Sequence, residues 1–139
     1  MLFLDFDGVL HPSTIGTDSL LSKASLLSMA LYGIDLQIVI SSSWRFTHSL
    51  KDLKAKLPSE IAKKIVGVTG PAVIGKHPRY NEIINYLNTQ KGITDWRALD
   101  DSCWEFPSSC PNLIVCNSNT GINIKEINTL TNWLIEPQT

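Results

Sequence analysis

Cysteine is scarce in this chain: Cys103, Cys110 and Cys116 are the only three in 139 residues. An odd number without close paired spacing argues against a zinc site or a disulfide framework, and reduced, partly buried thiols are expected. An excess of one charge sign is also missing. Twelve basic against thirteen acidic residues leave a net charge of −1, which gives no global steering toward nucleic acid or acidic membranes. No apolar run approaches the ~20 residues of a membrane span, so no membrane partner is expected. The first apolar residues have no basic leader and meet Asp5 almost at once, so neither a signal peptide nor export is expected, and the cytoplasm is the expected compartment. Repeats, low-complexity tracts and linkers are absent too. One domain spanning 1–139 has room for a real core, whereas two ordinary domains would not fit.

What the chain does contain is alternation. Short apolar runs at Met1–Leu4, Leu36–Ile40, Ile65–Val68 and Leu113–Cys116, with a weaker one at Trp96–Leu99, read as strands covered on both faces. Helical stripes lie between them. Leu20, Ala24, Leu27 and Leu31 form one, and Phe46, Leu50, Leu53 and Leu57 a second. Tyr80, Ile83, Ile84 and Leu87 form a third, which Pro78 would start; Ile127, Leu130 and Leu134 form the last, with Asn123 and Glu126 spaced as a capping box. The lysines at 51, 54, 56, 63 and 64 read as a solvated helix face. Strand alternating with helix predicts an α/β three-layer domain.

Open sheets of that kind bind ligands beyond the carboxyl ends of their strands. Asp5 and Asp7 follow the first strand, "SSSWR" (Ser41 to Arg45) the second, and "DDS" (Asp100 to Ser102) the fourth, while "GKHPR" (Gly75 to Arg79) leads into the third helix. Singly, each is a common turn, cap or surface charge; together they fall on one edge. Paired carboxylates suit a hard cation such as Mg²⁺, which takes oxygen ligands and keeps substrate phosphate in its shell. Ser41, Ser42 and Ser43 at a helix start would offer N–H groups and hydroxyls to an anion, with Arg45 nearby. Lys76 or Arg79 would supply positive charge to a phosphoryl group. Metal, carboxylate nucleophile, anion cradle and cation together describe phosphoryl transfer.

These stretches resemble the motifs of the haloacid dehalogenase (HAD) superfamily. "FLDFDGVL" is similar to its first motif, "IVISSSWR" to its second, "KHPRYNEIINYL" to its third and "RALDDSCW" to its acidic fourth. "LIVCNSNTGIN" resembles the last strand and loop of a small group related to the HAD domain of multifunctional RNA-repair proteins, although Asn117 and Ser118 stand where relatives often carry Thr-Asp. The resemblance implies a Rossmann-like, mostly parallel five-stranded sheet. It implies Asp5 as nucleophile and Mg²⁺ ligand, and Asp7 as general acid and base whose backbone carbonyl also meets the metal. Ser42 would hold a phosphoryl oxygen with help from Ser43 (Ser41 remaining the alternative), Asp100 would ligate Mg²⁺ and Asp101 would support it. Either Lys76 or Arg79 could be the third-motif base, and the "RYNEI" pattern favours Arg79.

Many HAD enzymes carry a cap domain, but neither Gly8 to Asp35 nor Thr69 to Pro78 has room for one here. The expectation is a Mg²⁺-dependent phosphomonoesterase with an open site. A polynucleotide-end phosphatase and a catalytically silent phosphate-binding domain are the alternatives.

Overall fold

In the computed structural model, which describes residues 1–14 and 20–136, the apolar runs form five strands. They are β1 (Leu2–Leu4), β2 (Ile38–Ile40), β3 (Ile65–Val68), β4 (Arg97–Asp100) and β5 (Leu113–Val115). The order across the sheet is β3-β2-β1-β4-β5 and every pairing is parallel. Leu4 of β1 lies opposite Ile40 of β2 and Leu99 of β4. The three strand ends therefore stop level, and the residues that follow them emerge side by side. Because the chain leaves β1 for β2 on one side and later returns to β4 on the other, a crevice opens at the end of β1.

Alternation along β1 assigns its side chains to two faces. Leu2 and Leu4 join the larger core with Leu27 and Leu31 of α1 (Ala24–Leu31), Leu53 of α2 (Leu50–Ala55) and Ile61 of α3 (Ser59–Ala62). Leu130 and Trp133 of α5 (Ile124–Ile135) complete that layer. Phe3 points the other way and packs with Val39, Ala98 and Phe106 against Ile83 of α4 (Pro78–Asn88). Helices on both faces of a parallel sheet make the three layers that the sequence predicts. Among the described residues no further element is inserted between β1 and α1, and none lies between β3 and α4. Part of the Gly8–Asp35 gap, residues 15–19, lies outside the described residues.

Several local expectations need correction. The stripe through Phe46 and Leu57 is not one helix. Ser43–Phe46 forms a single 3₁₀ turn, α2 starts afresh with Ser49 accepting the Asp52 N–H at 3.1 Å, and Pro58 precedes the unanticipated α3. Phe46 is consequently exposed, as is Leu20 ahead of α1. Lys64 is buried rather than solvated: its ammonium donates to the Ile34 carbonyl at 2.7 Å and to Glu60 at 3.0 Å. Only half of the capping box forms. Asn123 accepts the Lys125 N–H at 3.0 Å, but Glu126 is buried instead of reaching back. The cysteines are free thiols, exposed at Cys103 and buried at Cys116.

Candidate active site

Asp5 is the first polar residue after β1, and its place in the sheet leaves it buried at 5% exposure. Its Oδ1 accepts the Phe6 N–H at 2.9 Å and lies 3.3 Å from Nη1 of Arg79. Asp100, the last residue of β4, is 1% exposed; its Oδ1 accepts the Ser102 N–H at 2.9 Å and its Oδ2 lies 3.4 Å from the same Arg79 nitrogen. Asp101 follows. One carboxylate oxygen from each of Asp5, Asp100 and Asp101 falls within 4.8 Å of the others. Burial first, and the Asp100 charge second, hold the Asp5 carboxyl well above the usual carboxylate range. Burial likewise raises Asp100, to about 6, against the opposing pull of Arg79.

Gly8 shows how closely these strand ends approach. It holds a left-handed φ of 76°, and a Cβ built there would stand 2.2 Å from Oδ2 of Asp101. Only glycine fits both the turn and the neighbour.

Arg79 reaches the crevice from the first turn of α4. His77 takes a left-handed φ of 50° ahead of the helix, and Pro78 supplies the first helical residue. The guanidinium lies between Asp5 and Asp100, donates from Nη1 to the Ser41 carbonyl, and comes within 4.0 Å of Glu105. Its pKa is raised: burial opposes the charge, but the surrounding carboxylates, Asp100 foremost, outweigh it. Lys76, the other basic candidate, is exposed and does not join the cluster.

The serines divide. Ser41 is 1% exposed and its Oγ has no hydrogen-bond partner in the protein. Ser42 caps the 3₁₀ turn, its Oγ accepting the Trp44 N–H at 3.2 Å, which leaves its own hydroxyl proton to donate. Ser43 is exposed. A single 3₁₀ turn follows them in place of the longer helix that the sequence suggests, and the N–H groups of Ser41, Trp44 and Arg45 are bonded to the Leu4 carbonyl, Ser42 Oγ and the Ser42 carbonyl. Arg45 departs further from expectation. Its side chain is buried, bonded to Glu82 at 2.8 Å, to the Gly70 carbonyl at 3.0 Å and to the Ser42 carbonyl at 2.9 Å. All three of its nitrogens are engaged with the protein, so it braces the loops around the site.

Asp7 stands apart from the three clustered carboxylates, with its side chain half-exposed. Oδ1 contacts Nε2 of His11 at 2.8 Å and Oδ2 accepts Nε1–H of Trp44 at 3.0 Å. His11, Trp44, Glu82 and Glu105 are therefore site residues that the sequence reading assigns no role. Only the spacing of His11, four after Asp7, could have pointed to one of them. The Asn117–Ser118 loop serves the fold: the Ser118 carbonyl accepts the Ser13 N–H at 2.8 Å, and Val9 accepts from Ile122 at 2.7 Å, which ties the segment after β1 to the end of β5.

The donor set fits a hard divalent cation. All the clustered side-chain groups are carboxylate oxygens, and two of them bear raised pKa values because like charges sit together out of water. Cys116 is no rival nucleophile, since burial pushes its thiol far above the usual range. Among the described residues no helix is long and apolar enough to cross a membrane. No curated protein and no solved structure matches the chain. A family model does, that of the HAD domain in Swiss Army Knife RNA repair proteins, and it covers residues 1–127 of the 139. With its level strand ends and acidic crevice, the chain belongs to this family of HAD domains.

Proposed function

We propose that this HAD-type hydrolase domain is a Mg²⁺-dependent phosphomonoesterase that works through an aspartyl-phosphate on Asp5. The observation that carries the reading is the gathering of Asp5, Asp100 and Asp101 within 4.8 Å, with Arg79 against two of them. Asp5, Asp100, Asp101 and the Asp7 carbonyl would hold Mg²⁺, which when bound offsets the negative charge of the cluster and of the phosphoryl oxygens.

The residues do the rest. An Asp5 carboxylate oxygen attacks phosphorus as the bond to the leaving oxygen breaks, and protonated Asp7 gives its proton to that oxygen. Asp7, now a carboxylate, takes a proton from the water that attacks the acyl phosphate, releasing phosphate and restoring Asp5. Ser41 and Ser42 donate hydroxyl protons to phosphoryl oxygens; the unpartnered, buried Ser41 Oγ supports this for Ser41. Arg79 holds Asp5 and Asp100 in place and adds positive charge where the transition state is most negative.

A phosphate at a nucleic-acid end is the substrate reading favoured by the family, whose description places these domains in RNA repair proteins. The test of the activity is turnover of p-nitrophenyl phosphate by the purified chain. Turnover that requires Mg²⁺ and stops with excess EDTA is expected. Binding of phosphate without turnover would instead make this a silent binding domain.

A further inference from the structure

We infer that His11 and Trp44 form a two-point clamp that holds the Asp7 carboxylate in its working orientation, making both of them positioning residues for proton transfer. This inference rests on the phosphatase reading and on Asp7 as the proton carrier within it. A half-exposed aspartate on a loop ordinarily samples several rotamers. Asp7 meets a separate donor at each oxygen instead, His11 at 2.8 Å and Trp44 at 3.0 Å.

The protonation of His11 follows from its other nitrogen. Nδ1 accepts the Leu21 N–H at 3.1 Å, which only an unprotonated Nδ1 can do, so the ring proton sits on Nε2 and points at Asp7. Leu21 holds a left-handed φ of 59° at this position, a conformation that costs a residue with a Cβ and that persists only where its surroundings impose it. The indole is fixed as firmly. Its ring packs edge-on against Phe6 at 5.2 Å, stacks on His48 at 5.4 Å and lies 5.7 Å from His11, while its backbone N–H is capped by Ser42. Both donors are thus held by packing and hydrogen bonds without any substrate.

The clamp also leaves Asp7 able to do its chemistry. A carboxylate has about four lone-pair sites, and the two donors occupy two. The remaining sites can take the proton of the attacking water and, once protonated, present it to a leaving oxygen, with His11 and Trp44 donating throughout. A buried histidine needs a partner for its N–H in any case. That plainer reading accounts for the His11 contact but not for an indole aimed at the second oxygen.

Trp44→Phe keeps an aromatic ring, though a smaller one, in the packed position and deletes the N–H. The clamp predicts that kcat for an alkyl phosphate falls about tenfold with KM unchanged, while an activated aryl phosphate, whose leaving oxygen needs little protonation, loses less than about threefold. In an Asp7→Asn background, Trp44→Phe should add no further loss. His11→Gln, whose amide N–H can reach Asp7, should retain most of the alkyl rate that His11→Leu loses, which keeps the inference testable if either truncation destabilises the fold. Equal losses on both substrates, or a full additional loss on top of Asp7→Asn, would show that the two residues only support packing. If Asp7→Asn itself affects both substrates alike, the assignment of Asp7 as proton carrier falls, and the clamp with it.

Discussion

At the residue scale the site is built from carboxylates whose charges conflict when they ionise together out of water. Asp100 binds its proton more tightly in the folded chain than in the unfolded one, with a folded pKa of about 6, and Asp5 is shifted in the same direction. Between about 6 and the ordinary carboxylate range near 4, Asp100 holds more proton in the folded state than in the unfolded state, and the shift of Asp5 adds to the difference. Ionising these groups therefore costs stability, and the metal-free protein should lose stability as pH rises from about 4 through about 6 and beyond. Thermal melts in EDTA should show this slope, Asp100→Asn should flatten it, and Mg²⁺ should raise the melting temperature most at neutral pH, where both carboxylates are free to bind it. Arg45 makes a different prediction. Its buried pair with Glu82 means that Arg45→Ala leaves a buried carboxylate with only the Val73 N–H and Arg79 Nε at 3.9 Å, at a cost of roughly 3 kcal/mol. Urea unfolding should register that loss. A residue serving only the substrate would raise KM and leave stability alone.

At the scale of elements, what was legible in the sequence is what local pattern controls. Five apolar runs became five strands within a residue or two, and Pro78 does start α4 at its first residue. Strand ends are also where sequence maps directly onto space, so Asp5 and Asp100 meet because β1 and β4 are neighbours in register. The unread part depends on partners far along the chain. Glu82 binds Arg45 and accepts the Val73 N–H at 3.2 Å, and neither contact leaves a trace in local periodicity. Phe46 matched a helical spacing that Ser42 and Ser49 interrupt by capping two separate turns. Gly8 joins the two kinds of information: a turn glycine by its sequence, a contact with Asp101 by its position. Gly8→Ala should both strain the backbone and displace Asp101. A higher Mg²⁺ concentration for half-maximal activity is expected, along with a lower melting temperature; an unchanged Mg²⁺ requirement would remove Asp101 from the metal site.

Across the whole molecule, the decisive feature is that no inserted element follows β1 or β3 among the described residues. Asp7 is half-exposed, and no element between β3 and α4 lies over the crevice. An uncovered site selects poorly among small phosphates and can admit the end of a large one. A phosphate on an oligonucleotide terminus should therefore be hydrolysed with a higher kcat/KM than the same phosphate on a free nucleotide. A tenfold preference for the free nucleotide would contradict the open-site account. All of this presupposes covalent chemistry on one side chain, and that can be read directly. The chain is mixed with p-nitrophenyl phosphate and Mg²⁺, quenched in acid during steady turnover, digested, and the peptides weighed. The account predicts one phosphoryl group on the peptide bearing Asp5, labile to base and absent from Asp5→Asn, whose turnover should be lower by several orders of magnitude. Near-normal turnover in Asp5→Asn, or a phosphoryl group trapped on a different residue, would contradict it.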